Sequence, residues 1–116
     1  MASDNDRLQL IVRLLDRIQS SMSGIDESAF LADQDLGDLI AHRMMHVAEN
    51  ASKLTAALKD RHPHMSWKKM LGMRNVIAHD YDGTNYIVLW MTMANSLGDL
   101  RAMCEAELAN EKDEGE

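Results

Sequence analysis

Apolar residues recur every three or four positions along most of this 116-residue chain. No segment alternates apolar and polar residues with the period of two that a half-buried strand requires. This periodicity confines the chain to helices that each bury one face. Leu8, Ile11, Leu15, Ile18 and Met22 form a first stripe, with Ser3 or Asp4 placed to cap its start and Gly24 its end. Residues 27–32 read as a short helix capped by Asp26. A second long stripe, Leu36, Ile40, Met44, Val47, Ala51, Leu54 and Leu58, begins near Asp33 or Asp35. It breaks at His62-Pro63, because the residue before a proline avoids the helical region. Ser66 can cap a further helix from Trp67 to about His79, and Asp82-Gly83 signals a turn. Thr84 can then cap a last helix, whose stripe is Tyr86, Trp90, Met93, Leu97, Leu100, Cys104 and Leu108.

A single proline and six glycines leave few breakers, and the dominant Leu, Met, Ala, Asp and Glu favour helix. Short connections make successive helices antiparallel neighbours. The expected fold is therefore all-α, an antiparallel four- to five-helix bundle forming one domain over residues 1–109. An acidic, flexible tail occupies residues 110–116. Leu14, Leu39, Met45 and Met91 fall outside the main stripes, and a small bundle covers such residues poorly, which favours a helical homodimer. Ten methionines suit an adaptable core or an interface that repacks. Cys104, the one cysteine, rules out an internal disulfide and reads as a buried small residue. The start, Met-Ala-Ser-Asp-Asn-Asp, lacks the basic and apolar regions of a signal peptide, and no apolar run reaches membrane-spanning length. The expectation is a cytoplasmic protein with no membrane partner.

A net charge of −7 argues against a general nucleic-acid binder. The charge is uneven, however. Residues 41–79 hold seven basic residues against Glu49 and Asp60, a balance of +5, together with all five histidines; the remainder carries −12. This arrangement suits a small anionic site or a basic partner, and ordinary solvated charges account for it equally well. Arg74, Asn75, His79 and Tyr81 lie within eight residues of this segment's end. Arginine can grip a phosphate at two points, histidine transfers protons near neutral pH, and tyrosine offers a modifiable hydroxyl. Together they suggest phosphodiester chemistry. On an ideal helix, five residues turn through about 500°, so Arg74 and His79 would point roughly 140° apart. They converge only if the helix ends or distorts at His79, or if two subunits face each other. The alternative is a polar helix end with Arg74 salt-bridged to a carboxylate.

The pattern Arg-x4-His-x-Tyr resembles the signature of HEPN-domain proteins, specifically the HepT-like toxin family. The likeness extends from Trp67 through Gly72-Met73-Arg74-Asn75 and His79-Asp80-Tyr81 to Gly83 and Trp90. Upstream, Ala48-Glu49-Asn50-Ala51 resembles the family's Gly-Glu-Ala segment, with Ala48 where glycine is usual. The resemblance implies a bundle that dimerises through its motif-bearing helices and a metal-independent endoribonuclease toxin acting on RNA without a cofactor. In its terms Arg74 and His79 are catalytic, and Asn75 and Glu49 support them. It also implies a cognate antitoxin, a minimal nucleotidyltransferase that silences the toxin by attaching AMP to Tyr81. A second reading is a non-catalytic HEPN-like module that binds a nucleotide or a nucleotidyltransferase.

Other residues carry weaker signals. His42, His46 and Glu49 share one helix face at metal-ligand spacing, but no second cluster completes a site. That face is expected to be solvated or to lie across from Arg74. His62 and His64 flank Pro63 and read as surface residues. Lys68 and Lys69 occupy a first helical turn, where the helix dipole disfavours cations, which hints at an anion such as an RNA phosphate. Trp67 and Trp90 read as core or interface anchors.

Overall fold

The computed structural model describes residues 2–79 and 86–114, with the backbone alone at positions 71, 73, 76–79 and 111–114. Seven helices and no strand are found among these residues. They are α1 (Asp4–Ser21), α2 (Glu27–Ala32), α3 (Gln34–Ser52), α4 (Ala56–Asp60), α5 (Trp67–His79), α6 (Tyr86–Asn95) and α7 (Leu97–Glu114). The expected turn at Asp82-Gly83 and cap at Thr84 lie outside the described residues.

Local capping decides where the first three helices begin. Ser3 Oγ accepts the Asp6 N–H at 3.1 Å and the Asp6 carboxylate accepts the Ser3 N–H at 3.2 Å, a reciprocal pair that selects Ser3 over Asp4. Asp26 accepts the Ala29 N–H at 2.8 Å, and Asp33, rather than Asp35, accepts the Leu36 N–H at 3.0 Å. Gly24 follows α1 with a φ of 74°, a left-handed conformation that a side chain would strain.

The second long stripe is not one helix. It breaks after Ser52, before His62-Pro63 is reached, because Thr55 is held elsewhere. The Thr55 N–H and hydroxyl both donate to the Asp4 carboxylate, at 3.0 and 2.6 Å. Thr55 Oγ in turn accepts the Leu58 N–H at 3.4 Å and starts α4. Freed from one helical register, Leu54 and Leu58 are both buried. The last stripe is also divided, with Ser96 separating α6 from α7.

The core forms where α3 packs against α1 and α5, and α7 against α1. Leu8, Ile11, Leu15 and Ile18 of α1 meet Ile40, Met44, Val47 and Ala51 of α3, and Leu100, Met103 and Cys104 close the cluster from α7. Cys104 is fully buried, and desolvation pushes its thiol up to about 12. Leu14, expected off the main stripe, is buried, whereas Leu39 and Met91 remain exposed beside Ile87 and Val88. Gly37 is needed in α3, since a Cβ there would stand 2.9 Å from the Tyr86 ring. Tyr86 also donates its hydroxyl to Asp38, so the first residue of α6 is fixed against α3.

His62 is not the surface residue its loop suggests. Its Nε2 lies 2.6 Å from Glu107, whose carboxylate also takes two bonds from Arg61, at 3.0 and 2.9 Å. Glu107 is 11% exposed, so the α4–α5 connection is tied to α7 through one nearly buried carboxylate. The Arg61 guanidinium and then His62 hold that carboxyl below its usual range. A depressed folded value means that the stabilisation is present above the unfolded carboxylate value of about 4.3 and is lost as pH falls below it. Glu107→Gln is therefore expected to cost about 1–2 kcal/mol at pH 7. The gap in melting temperature from the unmodified chain should close on acidification, as read by thermal denaturation across pH; a gap independent of pH would refute this role.

Candidate active site

Packing sorts the basic residues of the 41–79 segment into two groups. Arg43 donates to the Arg17 carbonyl at 3.0 Å and to Ser21 Oγ at 2.7 Å. Lys59 donates to the Ser52 carbonyl at 2.6 Å, and its ammonium lies 5.9 Å from the centre of the Trp67 ring. Lys53 pairs with Glu49 and Arg61 with Glu107. The other three, Lys68, Lys69 and Arg74, all belong to α5 and have no carboxylate partner among the described residues. The basic centre read from composition is thus, in its unpaired part, a property of one helix.

Arg74 is half-buried, and its Nη1 donates to the exposed Asn75 side chain at 3.2 Å. The salt-bridged arrangement considered for Arg74 is absent among the described residues. Among the described residues, Glu49 of α3 interacts with Arg74 electrostatically. Glu49 pairs with Lys53 at 3.2 Å, and Lys53 foremost, then Arg74 and His46, hold its carboxyl below the ordinary range. Glu49 thus stays ionised within the field of Arg74. Its neighbour Asn50, the buried polar residue of the core, accepts from Arg7 at 3.1 Å and donates to the His46 carbonyl at 2.9 Å. The bond from Arg7 ties this part of α3 to α1, the bond to His46 holds the Asn50 side chain within α3, and together they help fix where Glu49 stands. Nothing in the sequence distinguished Asn50 from its neighbours, because its partner Arg7 lies 43 residues away.

His42 and His46 are exposed, with ring centroids 6.0 Å apart in a stacked arrangement. Both histidines are solvated, the first of the two settings expected for this face, and of its three residues Glu49 is the one that interacts with Arg74. Among the described residues no three His, Cys, Asp or Glu side chains gather closely enough to hold a metal ion. Trp67 donates its Nε1–H to the His62 carbonyl at 3.2 Å, and the Trp90 ring lies 5.8 Å from that of Phe30, so both tryptophans anchor the packing.

The α5 backbone remains helical as far as His79. Helical register then separates positions 74 and 79 by about 140° around the axis, so the helix does not distort to bring them onto one face. Tyr81 lies outside the described residues. The structure therefore brings Arg74, Asn75 and Glu49 into one neighbourhood and leaves position 79 on another side of α5.

The HepT-like family model, described as "Ribonuclease HepT-like", matches residues 11–107. A protein named "Putative RNase TTE0752", from Caldanaerobacter subterraneus subsp. tengcongensis, is 24% identical over 97% of this chain and 100% of its own length. "Probable ribonuclease HepT" of Thermococcus cleftensis is 25% identical over 89% of this chain and 94% of its own. "Putative RNase MJ1380" of Methanocaldococcus jannaschii is 26% identical over 72% and 84% respectively. No solved structure matches the chain.

Proposed function

Because this chain belongs to the HepT-like ribonuclease family, we propose that it is a metal-independent endoribonuclease and the toxin of a toxin–antitoxin pair. The observation that carries this reading is the half-buried Arg74, a permanent cation with no carboxylate partner among the described residues, flanked by Asn75 and within electrostatic reach of Glu49. A guanidinium in that state is free to take a scissile phosphate by two parallel hydrogen bonds. In the reaction the 2′-hydroxyl attacks the adjacent phosphorus. A base takes its proton, the bond from phosphorus to the 5′-oxygen breaks, and an acid protonates the leaving oxygen. Arg74 stabilises the charge that builds on the phosphoryl oxygens. His79 is the acid–base group, Asn75 orients the phosphate, and Glu49 positions Arg74.

Because register sets positions 74 and 79 apart on α5, the complete site consists of Arg74 from one subunit and His79 from another, with a homodimer formed through the motif-bearing helices. The exposed apolar residues Leu39, Ile87, Val88 and Met91 supply surface that such an association would cover. The cognate antitoxin is a minimal nucleotidyltransferase, which inactivates the toxin by AMP attachment to Tyr81. Purified protein is expected to cleave single-stranded RNA in excess chelator and to leave 2′,3′-cyclic phosphate ends, read by gel and mass spectrometry. Cleavage that appears only on adding a divalent metal would overturn the mechanism. A second reading, a non-catalytic nucleotide- or nucleotidyltransferase-binding module, draws on the net charge of −7, and would give a chain that neither cleaves RNA nor arrests growth.

A further inference from the structure

Two features outside the proposed catalytic centre meet in one place. Lys69 occupies the first turn of α5, where a cation is unfavourable for the helix itself, and it has no carboxylate partner among the described residues. It also lines a cleft of about 360 Å³, within the range of small-ligand sites of roughly 300–1,000 Å³. His64, Ser66 and Lys69 line this cleft from the α4–α5 connection and the start of α5, and Asn95, Ser96 and Asp99 line it from the α6–α7 junction. Val47, Ala48, Met65 and Leu100, all buried, contribute its apolar lining.

We propose that this cleft binds a nucleoside monophosphate unit, with the phosphate on the Lys69 side, the base on the apolar lining, and Asp99 and Asn95 taking hydrogen-bond donors of the ribose or base. The division of charge selects this class of ligand. A bare phosphate would gain from Lys69 but would be opposed by Asp99 in the same cleft. A neutral apolar molecule would leave Lys69, His64 and Asp99 without use. A nucleotide joins an anion, a flat apolar ring and several O–H and N–H donors in one ligand, and the cleft provides a partner for each. The unit is either part of an RNA strand or a free nucleotide. As part of a strand it is a substrate subsite, a role that rests on the ribonuclease reading; as a site for a free nucleotide it does not. Lys69 and Arg74 lie five residues apart on α5, about 7.5 Å along the axis and about 140° around it, so a strand touching both would cross the helix rather than follow it.

The test uses the full chain and titrates the four ribonucleoside 5′-monophosphates, the matching nucleosides and inorganic phosphate, with binding read by calorimetry and by amide chemical shifts. At least one monophosphate is expected to bind about tenfold more tightly than both its nucleoside and inorganic phosphate. Lys69→Gln is expected to weaken that binding about tenfold, whereas Lys68→Gln, which removes an exposed cation outside the cleft lining, changes it by less than about twofold. With an RNA substrate, Lys69→Gln is expected to raise KM several-fold while moving kcat less, which identifies the strand as the source. An unchanged KM alongside weakened monophosphate binding identifies the free nucleotide instead. Lys69 is exposed and its replacement should leave the fold intact, which the thermal transition checks. The proposal is overturned if no monophosphate binds better than phosphate, or if Arg74→Ala abolishes binding that Lys69→Gln leaves untouched. Monophosphate binding in a chain that cleaves no RNA would uphold the cleft and refute the ribonuclease reading; cleavage without monophosphate binding would do the reverse.

Discussion

Arg74→Ala is expected to lower kcat/KM for RNA by at least about a hundredfold, the scale seen when a preorganised donor to a developing anion is removed. The loss should come without a loss of fold. Arg74 is half-buried rather than part of the core, and its described hydrogen bond is to the adjacent Asn75, so truncation opens no core cavity and breaks no tie between helices among the described residues. Arg74→Lys keeps the charge but not the planar pair of donors, and activity should fall between the two. His79→Ala is expected to lose about 10²–10⁴-fold, the usual contribution of a positioned acid–base group. The register of α5, which sets positions 74 and 79 apart, adds a sharper outcome. If Arg74 of one subunit works with His79 of another, mixing the two inactive variants should restore part of the activity, because one of the two sites in a mixed dimer is intact. Activity unaffected by Arg74→Ala would remove the central element of the proposed mechanism.

The largest effect on stability is expected from Phe30→Ala, at about 3–5 kcal/mol. Phe30 is 0% exposed, and its ring meets Tyr86 edge-on at 6.3 Å and Trp90 at 5.8 Å. It is the buried residue of α2, a helix of six residues and too short to be stable without packing. Through Phe30, α2 joins α3 to α6, so the cavity would fall where three helices meet. Against a domain stability of about 5–15 kcal/mol this is a large fraction, and the melting temperature should fall by more than about 10 °C. Urea denaturation gives the measurement directly. A loss under about 1 kcal/mol would mean that the cluster repacks around the gap, and that α6 is held mainly by Tyr86 at Gly37 and Asp38.

The legible part of the site was the part written in adjacent residues. Arg74 and Asn75 are neighbours in sequence and hydrogen-bond as neighbours in space. Spacing along the chain says nothing of their link to Glu49, which only a family resemblance suggests, since that link depends on how α3 lies against α5. The same limit explains His62, which a loop context places on the surface and Glu107 of α7 draws inward. It also explains why a +5 segment was ambiguous as a sequence, since composition cannot tell an engaged cation from a free one.

Helix type, the start of α2 at Asp26, the starts of α1 and α3 to within two residues, and the glycine that follows α1 were determined by the sequence alone. Each depends on interactions within three or four residues, such as Ser3 with Asp6, Asp26 with Ala29 and Asp33 with Leu36. Tertiary structure alone decided the break between α3 and α4, where Thr55 answers to Asp4 from 51 residues away. It likewise decided which cations are engaged among the described residues, and the cleft that Lys69 and Asp99 both line. Local preferences act before the chain has any particular shape. Charge pairing and cavity walls exist only once distant helices have been packed together by their apolar faces, and their partners cannot be assigned from spacing along the chain.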